Sequence, residues 1–162
     1  MTAQVERPRG GPGMIRAAID DIMAVLELRL AVEVEAAALA AVRHTDEDLS
    51  AMSAVLDGVT ANGGNWAVAV GADLAFHRAL LAATGNELLT KMEVIMETGL
   101  ADRDRLVHKV KPSGDPVPSH RRVVDAVRAH DPEAAELAMR ELLAKAASDL
   151  TEVRGSSRKG RR

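Results

Sequence analysis

Cysteine and tyrosine are missing from the sequence, and tryptophan and phenylalanine occur once each among its 162 residues. The absence of cysteine excludes disulfides, thiolate nucleophiles and zinc sites built on cysteine. Apolar residues make up 47% of the chain and are mainly Ala, Leu, Val and Met. The composition is therefore poor in the aromatic residues that are enriched in strands. This composition predicts an all-helical protein.

Long uninterrupted apolar runs are also missing, because charged residues interrupt even the most apolar stretch, VLELRLAVEVEAAALAAV. No segment could cross a bilayer without burying Glu or Arg, so we expect no membrane partner. The N-terminal MTAQVERPRGGPGM lacks the apolar centre of a signal peptide, which makes a cytoplasmic location the expectation. The net charge of −3 gives no overall basic bias toward nucleic acid.

The length suits one domain with a core of its own. Composition divides the chain into a flexible arm or linker at residues 1–14, a helical domain at 15–153 and a basic, disordered tail at 154–162.

Helical periodicity and capping residues predict six helices. Their expected spans are 15–42, 46–60, 66–82, 87–108, 120–130 and 132–152, with N-caps at Thr45, Asn86, Ser119 and Asp131. Thr45 and Asp48 resemble a capping box, Gly85 marks a tight turn, and 109–118 is predicted to be a loop. Six helices joined by short connections predict an antiparallel bundle.

The third helix carries Asp73 and His77 four residues apart, so both side chains project from one face. That helix is otherwise rich in Ala and Leu, and a carboxylate buried there needs a partner. Asp73 could simply form a hydrogen bond with His77, or it could pair with an arginine. His120 begins a helix that a bundle can lay against the third helix, which adds a third side chain to the same region.

Several ordered blocks resemble the C-terminal effector-binding domain of FadR-subfamily GntR transcription regulators, known as the FCD domain. The blocks are 26-LELRLAVEVEAAALAA-41, 45-TDEDL-49, 73-DLAFHRALLAATGNELL-89 and 120-HRRVVDAVRAHDPEAAELAMRELL-143. The resemblance implies a helical bundle around a central ligand cavity, a small carboxylate effector and a homodimer. It also implies a regulatory protein without catalytic residues.

In many members of that family, one Asp and three His bind a divalent metal, and Asp73, His77 and His120 match the first three positions. Leu142 stands where the fourth ligand is expected, and leucine cannot ligate a metal. Mixed nitrogen and oxygen donors suit zinc, nickel or manganese, and two His with one carboxylate remain a usable set. The resemblance therefore predicts a divalent metal site weakened by the loss of one ligand.

Two further residues are candidates for ligand binding. Arg29 matches an arginine of the first helix that can face the cavity and pair with a carboxylate, although an ion pair with Glu33 is an equally good interpretation. Asn86 is primarily an N-cap, with a cavity-facing role as its second interpretation.

The leading functional hypothesis is a ligand-sensing, dimerising domain of a GntR/FadR-type regulator, in which DNA is bound by a winged helix-turn-helix domain that this sequence does not include. Two other hypotheses remain open. A two-His-one-carboxylate set is also found in metalloenzymes, and a buried polar network could belong to a purely structural dimerisation module.

Overall fold

A computed structural model of the protein describes the backbone of residues 12–62, 66–97 and 117–159, and the side chains of 20–62, 71–97 and 117–152. The described residues form six helices and no strand. These are α1 Pro12–Arg43, α2 Asp46–Ala61, α3 Trp66–Ala82, α4 at 87–97, α5 Val117–Arg128 and α6 Pro132–Lys159. The all-helical prediction is confirmed.

Short polar residues set the start of α2, as the sequence predicts. The Thr45 side chain accepts a hydrogen bond from the backbone N–H of Asp48 at 3.2 Å, and the Asp48 carboxylate accepts one from the Thr45 N–H at 2.9 Å. This reciprocal capping box satisfies two N–H groups that have no acceptor inside the helix.

The connection between α3 and α4 is a tight turn around Gly85, whose φ of 65° lies in the left-handed region that glycine adopts without strain. The side chain of Asn86 then accepts hydrogen bonds from the N–H groups of Leu88 and Leu89 at 3.0 and 3.4 Å. The predicted turn and N-cap are both confirmed, and they fix the direction in which α4 leaves α3.

Three helix ends differ from the predictions by three residues or more, and the predicted end of α4 near residue 108 lies outside the described residues. α5 begins at Val117, so the prediction that Ser119 is its N-cap is wrong. Pro118 fits the first turn, where its missing N–H would have no intrahelical acceptor. α1 begins at Pro12, before the expected start near Ile15, and α6 continues to Lys159, past the expected end near Glu152 and into the segment expected to be disordered.

α1 packs along α6, and α5 packs on both of them. α3 lies against α1 and α2, so α2 and α1 together hold α3 near α5. A shared core cluster includes Phe76 of α3, Val124 of α5 and Leu142 of α6, all buried. None of the described helices has the length and apolarity needed to span a membrane.

Candidate metal and ligand site

The fold brings the three predicted metal ligands together. Asp73 and His77 project from neighbouring turns of α3, and His120 comes from the first turn of α5. One ligand atom of each residue lies within 4.8 Å of the other two. A carboxylate and an imidazole of α3 therefore meet an imidazole of α5 at one point in the bundle.

Asp73 is the centre of this cluster. Its Oδ1 lies 2.8 Å from Nε2 of His120 and 3.7 Å from Nε2 of His77. Its other oxygen, Oδ2, is buried and has no hydrogen-bond partner among the described residues. A buried carboxylate oxygen without a partner is costly, and a cation would satisfy it. The donor set of two imidazoles and one carboxylate thus fits a divalent ion such as zinc, nickel or manganese.

Phe76 packs against both histidines of the cluster. Its ring meets that of His77 edge-on at a centroid distance of 5.3 Å and that of His120 at 4.8 Å. Phe76 is completely buried, so it orients both imidazoles by packing.

Arg29 of α1 reaches the same point. Its guanidinium donates two hydrogen bonds to the carboxylate of Glu33, at 2.9 and 3.2 Å, and both side chains are about 1% exposed. Its Nη2 also lies 2.7 Å from Nε2 of His77. Arginine has no acceptor, so this contact is a hydrogen bond when Nε2 of His77 carries no proton. The sequence left two alternatives for Arg29, an ion pair with Glu33 and a position facing the candidate site. Both occur together.

Glu33 also contacts His77. Nδ1 of that ring lies 2.8 Å from Oε2 of Glu33, at ion-pair distance but without the alignment of a straight hydrogen bond. A carboxylate beside the second ring nitrogen of a metal-binding histidine commonly fixes its tautomer and orientation. The sequence identified Glu33 only as a partner for Arg29, and the signal for its further role was its charge within the apolar stripe of α1.

The charges of the cluster shift three pKa values. Burial alone would raise the pKa of Glu33, but Arg29 and His77 lower it to about 2. Burial opposes ionisation of Asp73 as well, yet His77 and His120 hold the pKa of that carboxyl well below its ordinary value. Burial would lower the pKa of His77, but Glu33 and Asp73 outweigh both burial and Arg29, and the pKa is raised. Both carboxylates are therefore ionised near neutral pH.

Two pockets reach the cluster from different faces of α3. The first, of about 270 Å³ including its open mouth, lies where α3 meets α1 and α4, and Glu33, His77 and Met96 contribute to its wall. The second, of about 230 Å³ measured in the same way, lies where α3 meets α2 and α5, and it is lined in part by Asp73 and His120. The enclosed part of each pocket holds little more than one water molecule, so a larger ligand could reach the cluster only if the surrounding side chains move.

The remaining predicted positions lie apart from this point or offer no ligand atom. Leu142 is 7% exposed and packs within the main core cluster. Asn86 lines neither of the two pockets, and its described hydrogen bonds are those of a cap and of the turn before it. Two histidines outside the predicted site, His44 and His130, lie at helix ends, stack on one another at 4.4 Å and contact the backbone carbonyls of Ala40 and Ala41.

Solved structures with a similar fold include a GntR protein of Streptococcus agalactiae and McbR/YncC of E. coli. The first is 22% identical, with a TM-score of 0.61 and coverage of 91% of this chain and 63% of that chain. The second is 17% identical, with a TM-score of 0.69 and coverage of 90% of this chain and 68% of that chain. This chain thus spans less than two thirds of the first protein, and at such identities the likeness shows the fold alone.

A comparison with curated proteins gives no match. The sequence model of the FCD domain, in contrast, matches residues 24–145, which is most of the chain and contains all three residues of the Asp73, His77 and His120 cluster. The chain therefore belongs to the FCD family, the C-terminal effector-binding domain of GntR-type transcription regulators.

Proposed function

We propose that this domain senses a small organic acid for a GntR/FadR-type transcription regulator, with a divalent metal at Asp73, His77 and His120. The observation that carries the proposal is the meeting of these three side chains, within 4.8 Å of one another, between two pockets. Buried polar groups gathered beside pockets are typical of ligand sites.

The two imidazoles and the carboxylate would hold the metal, which when bound supplies a Lewis-acidic centre able to attract a carboxylate. Arg29 is the second candidate for recognition of the acid, because a guanidinium can pair with both oxygens of a carboxylate. Contact between Asn86 and the effector stays a prediction, since its described hydrogen bonds concern the start of α4.

In the whole regulator, we propose that effector binding shifts the population of dimer arrangements and thereby the spacing of winged helix-turn-helix domains on DNA. Dimerisation is supported by apolar side chains that the described part leaves exposed on α4, namely Leu88, Val94 and Ile95. A cytoplasmic location follows from this role and belongs to the proposal.

A purely structural role for the cluster is the second candidate. It is favoured by one observation, the bidentate pairing of buried Arg29 with Glu33, which gives Arg29 a partner without any ligand. A metalloenzyme is not proposed, because the FCD family is one of regulatory domains.

Titration calorimetry of the purified chain with Zn²⁺, followed by acetate or a dicarboxylate, separates these roles. We expect Zn²⁺ to bind, and Asp73→Asn to weaken its binding by at least the roughly 10-fold to 100-fold seen when supporting groups of a metal site are removed. The matched variant Asp149→Asn removes a carboxylate of α6 that pairs with Lys145, and it should bind like the parent. Absence of both Zn²⁺ and carboxylate binding would leave the structural role.

A further inference from the structure

We infer that Arg29 competes directly with the metal for His77, so that the buried Arg29–Glu33 pair sets the metal affinity of the domain. This inference rests on the proposed metal site. It concerns the contacts of His77 in the protein without metal. It also assigns to Arg29 a role other than recognition of the acid.

The competition follows from the single lone pair of Nε2 of His77. A neutral imidazole has one protonated and one unprotonated nitrogen, and the unprotonated one can accept either a hydrogen bond or a metal. The carboxylate of Glu33 lies 2.8 Å from Nδ1, which favours the proton on Nδ1 and leaves the lone pair on Nε2. In the neutral form of His77, which is the form that a metal binds, Nη2 of Arg29 takes that lone pair at 2.7 Å.

In this orientation of the His77 ring, Nδ1 faces Glu33, while Nε2 is the atom that lies 3.7 Å from Asp73. A metal shared by Asp73 and His77 must therefore bind the same nitrogen that Arg29 contacts. The guanidinium has to withdraw before this can happen. Its positive charge also opposes a divalent cation at close range, and burial leaves little water to screen that repulsion.

Glu33 keeps Arg29 in place. Two hydrogen bonds to a carboxylate orient the guanidinium, and the pair is about 1% exposed, so withdrawal of Arg29 means rearranging a buried ion pair. The absence of a fourth histidine at Leu142 and the presence of Arg29 then act in the same direction, toward weak metal binding in the resting domain.

The test is the double variant Arg29→Met/Glu33→Gln. It removes one positive and one negative charge together, and the introduced glutamine side chain retains an oxygen that can accept from Nδ1 of His77. The matched control is Arg140→Met/Glu136→Gln, the same two exchanges in an exposed i,i+4 pair of α6. Zn²⁺ affinity is measured by competition with a chromogenic chelator, after circular dichroism has verified that each variant is folded.

We expect the Arg29→Met/Glu33→Gln variant to bind Zn²⁺ at least about tenfold more tightly than the parent, which corresponds to losing one charged hydrogen bond that binding must otherwise break. The control pair should leave the affinity unchanged. Equal affinities of parent and double variant would overturn the inference while leaving the proposed metal site intact. No Zn²⁺ binding by any of the proteins would overturn both.

Nitrogen-detected NMR of the unaltered protein provides a second measurement that does not depend on a folded variant. Zn²⁺ should shift the Nε2 signal of His77 and the guanidinium signals of Arg29 in the same titration. A shift at His77 with unchanged Arg29 signals would contradict the competition.

Discussion

Nη2 of Arg29 lies 2.7 Å from Nε2 of His77, which ties the middle of α1 to the middle of α3 through two buried polar side chains. Glu33 completes this link, because it accepts two hydrogen bonds from Arg29 and lies beside the other nitrogen of His77. The same buried side chains therefore belong to the candidate site and to the contact between α1 and α3. A change in the site is expected to alter the packing of the two helices, and the reverse.

The first prediction concerns the stability of that link. Glu33→Gln removes the carboxylate that pairs with buried Arg29, and we expect the free energy of unfolding to fall by about 3 to 5 kcal/mol, as is typical when one member of a buried pair is removed. Chemical denaturation in the absence of metal measures the change. Glu136→Gln, in the exposed pair with Arg140, is the control and should cost less than about 1 kcal/mol. Similar losses in both variants would contradict the importance given to burial.

The second prediction concerns residue 142. Leu142→His restores the ligand type that the family resemblance implies, and we expect it to tighten Zn²⁺ or Ni²⁺ binding by at least about tenfold. Without metal, a polar ring in the core should lower stability by about 1 to 3 kcal/mol, and metal should recover that loss.

Calorimetric titrations and thermal melts with and without metal measure both effects of Leu142→His. Leu137→His places the same ring at an exposed position of α6 and is the control. Equal metal affinities in the parent and Leu142→His would mean that residue 142 does not face the Asp73, His77 and His120 cluster.

The third prediction concerns Asn86. Asn86→Ala removes the oxygen that accepts from Leu88 and Leu89, and we expect a loss of about 1 kcal/mol in the free energy of unfolding. Asn86→Asp keeps a capping oxygen and should restore most of this stability. Denaturation of the two variants tests the cap. A loss of stability in Asn86→Asp as large as in Asn86→Ala would show that the amide has a role beyond capping.

The fourth prediction concerns oligomeric state. The exposed apolar side chains of α4 and the family resemblance lead us to expect a homodimer in solution at tens of micromolar. Sedimentation velocity across a dilution series measures it. A single monomeric species throughout the series would remove dimerisation from the proposed function.

Local features of the fold could be predicted from the sequence. The Thr45–Asp48 capping box, the turn at Gly85 and the cap at Asn86 each depend on residues within three or four positions, and all of them are found. The start of α5 was missed because Ser119 is a good cap by type, whereas Pro118 fits the first turn of a helix that begins earlier.

The candidate site was predictable only in part, because its contacts join residues far apart in the chain. Spacing placed Asp73 and His77 on one face of α3, and the family pattern added His120. Neither could reveal that Arg29 contacts His77 across 48 positions, or that Glu33 lies beside the second nitrogen of the same ring. Those relationships depend on how α1 packs against α3, which periodicity alone does not determine.

Crystallography of the Zn²⁺-soaked or co-crystallised chain, with diffraction data collected on both sides of the zinc absorption edge, would locate a bound metal without reference to any variant. We expect an anomalous peak in coordination contact with Asp73, His77 and His120, with the guanidinium of Arg29 withdrawn from His77. A well-ordered structure from zinc-containing crystals that has no anomalous peak at these three side chains, or has peaks only elsewhere on the protein, would contradict this expectation.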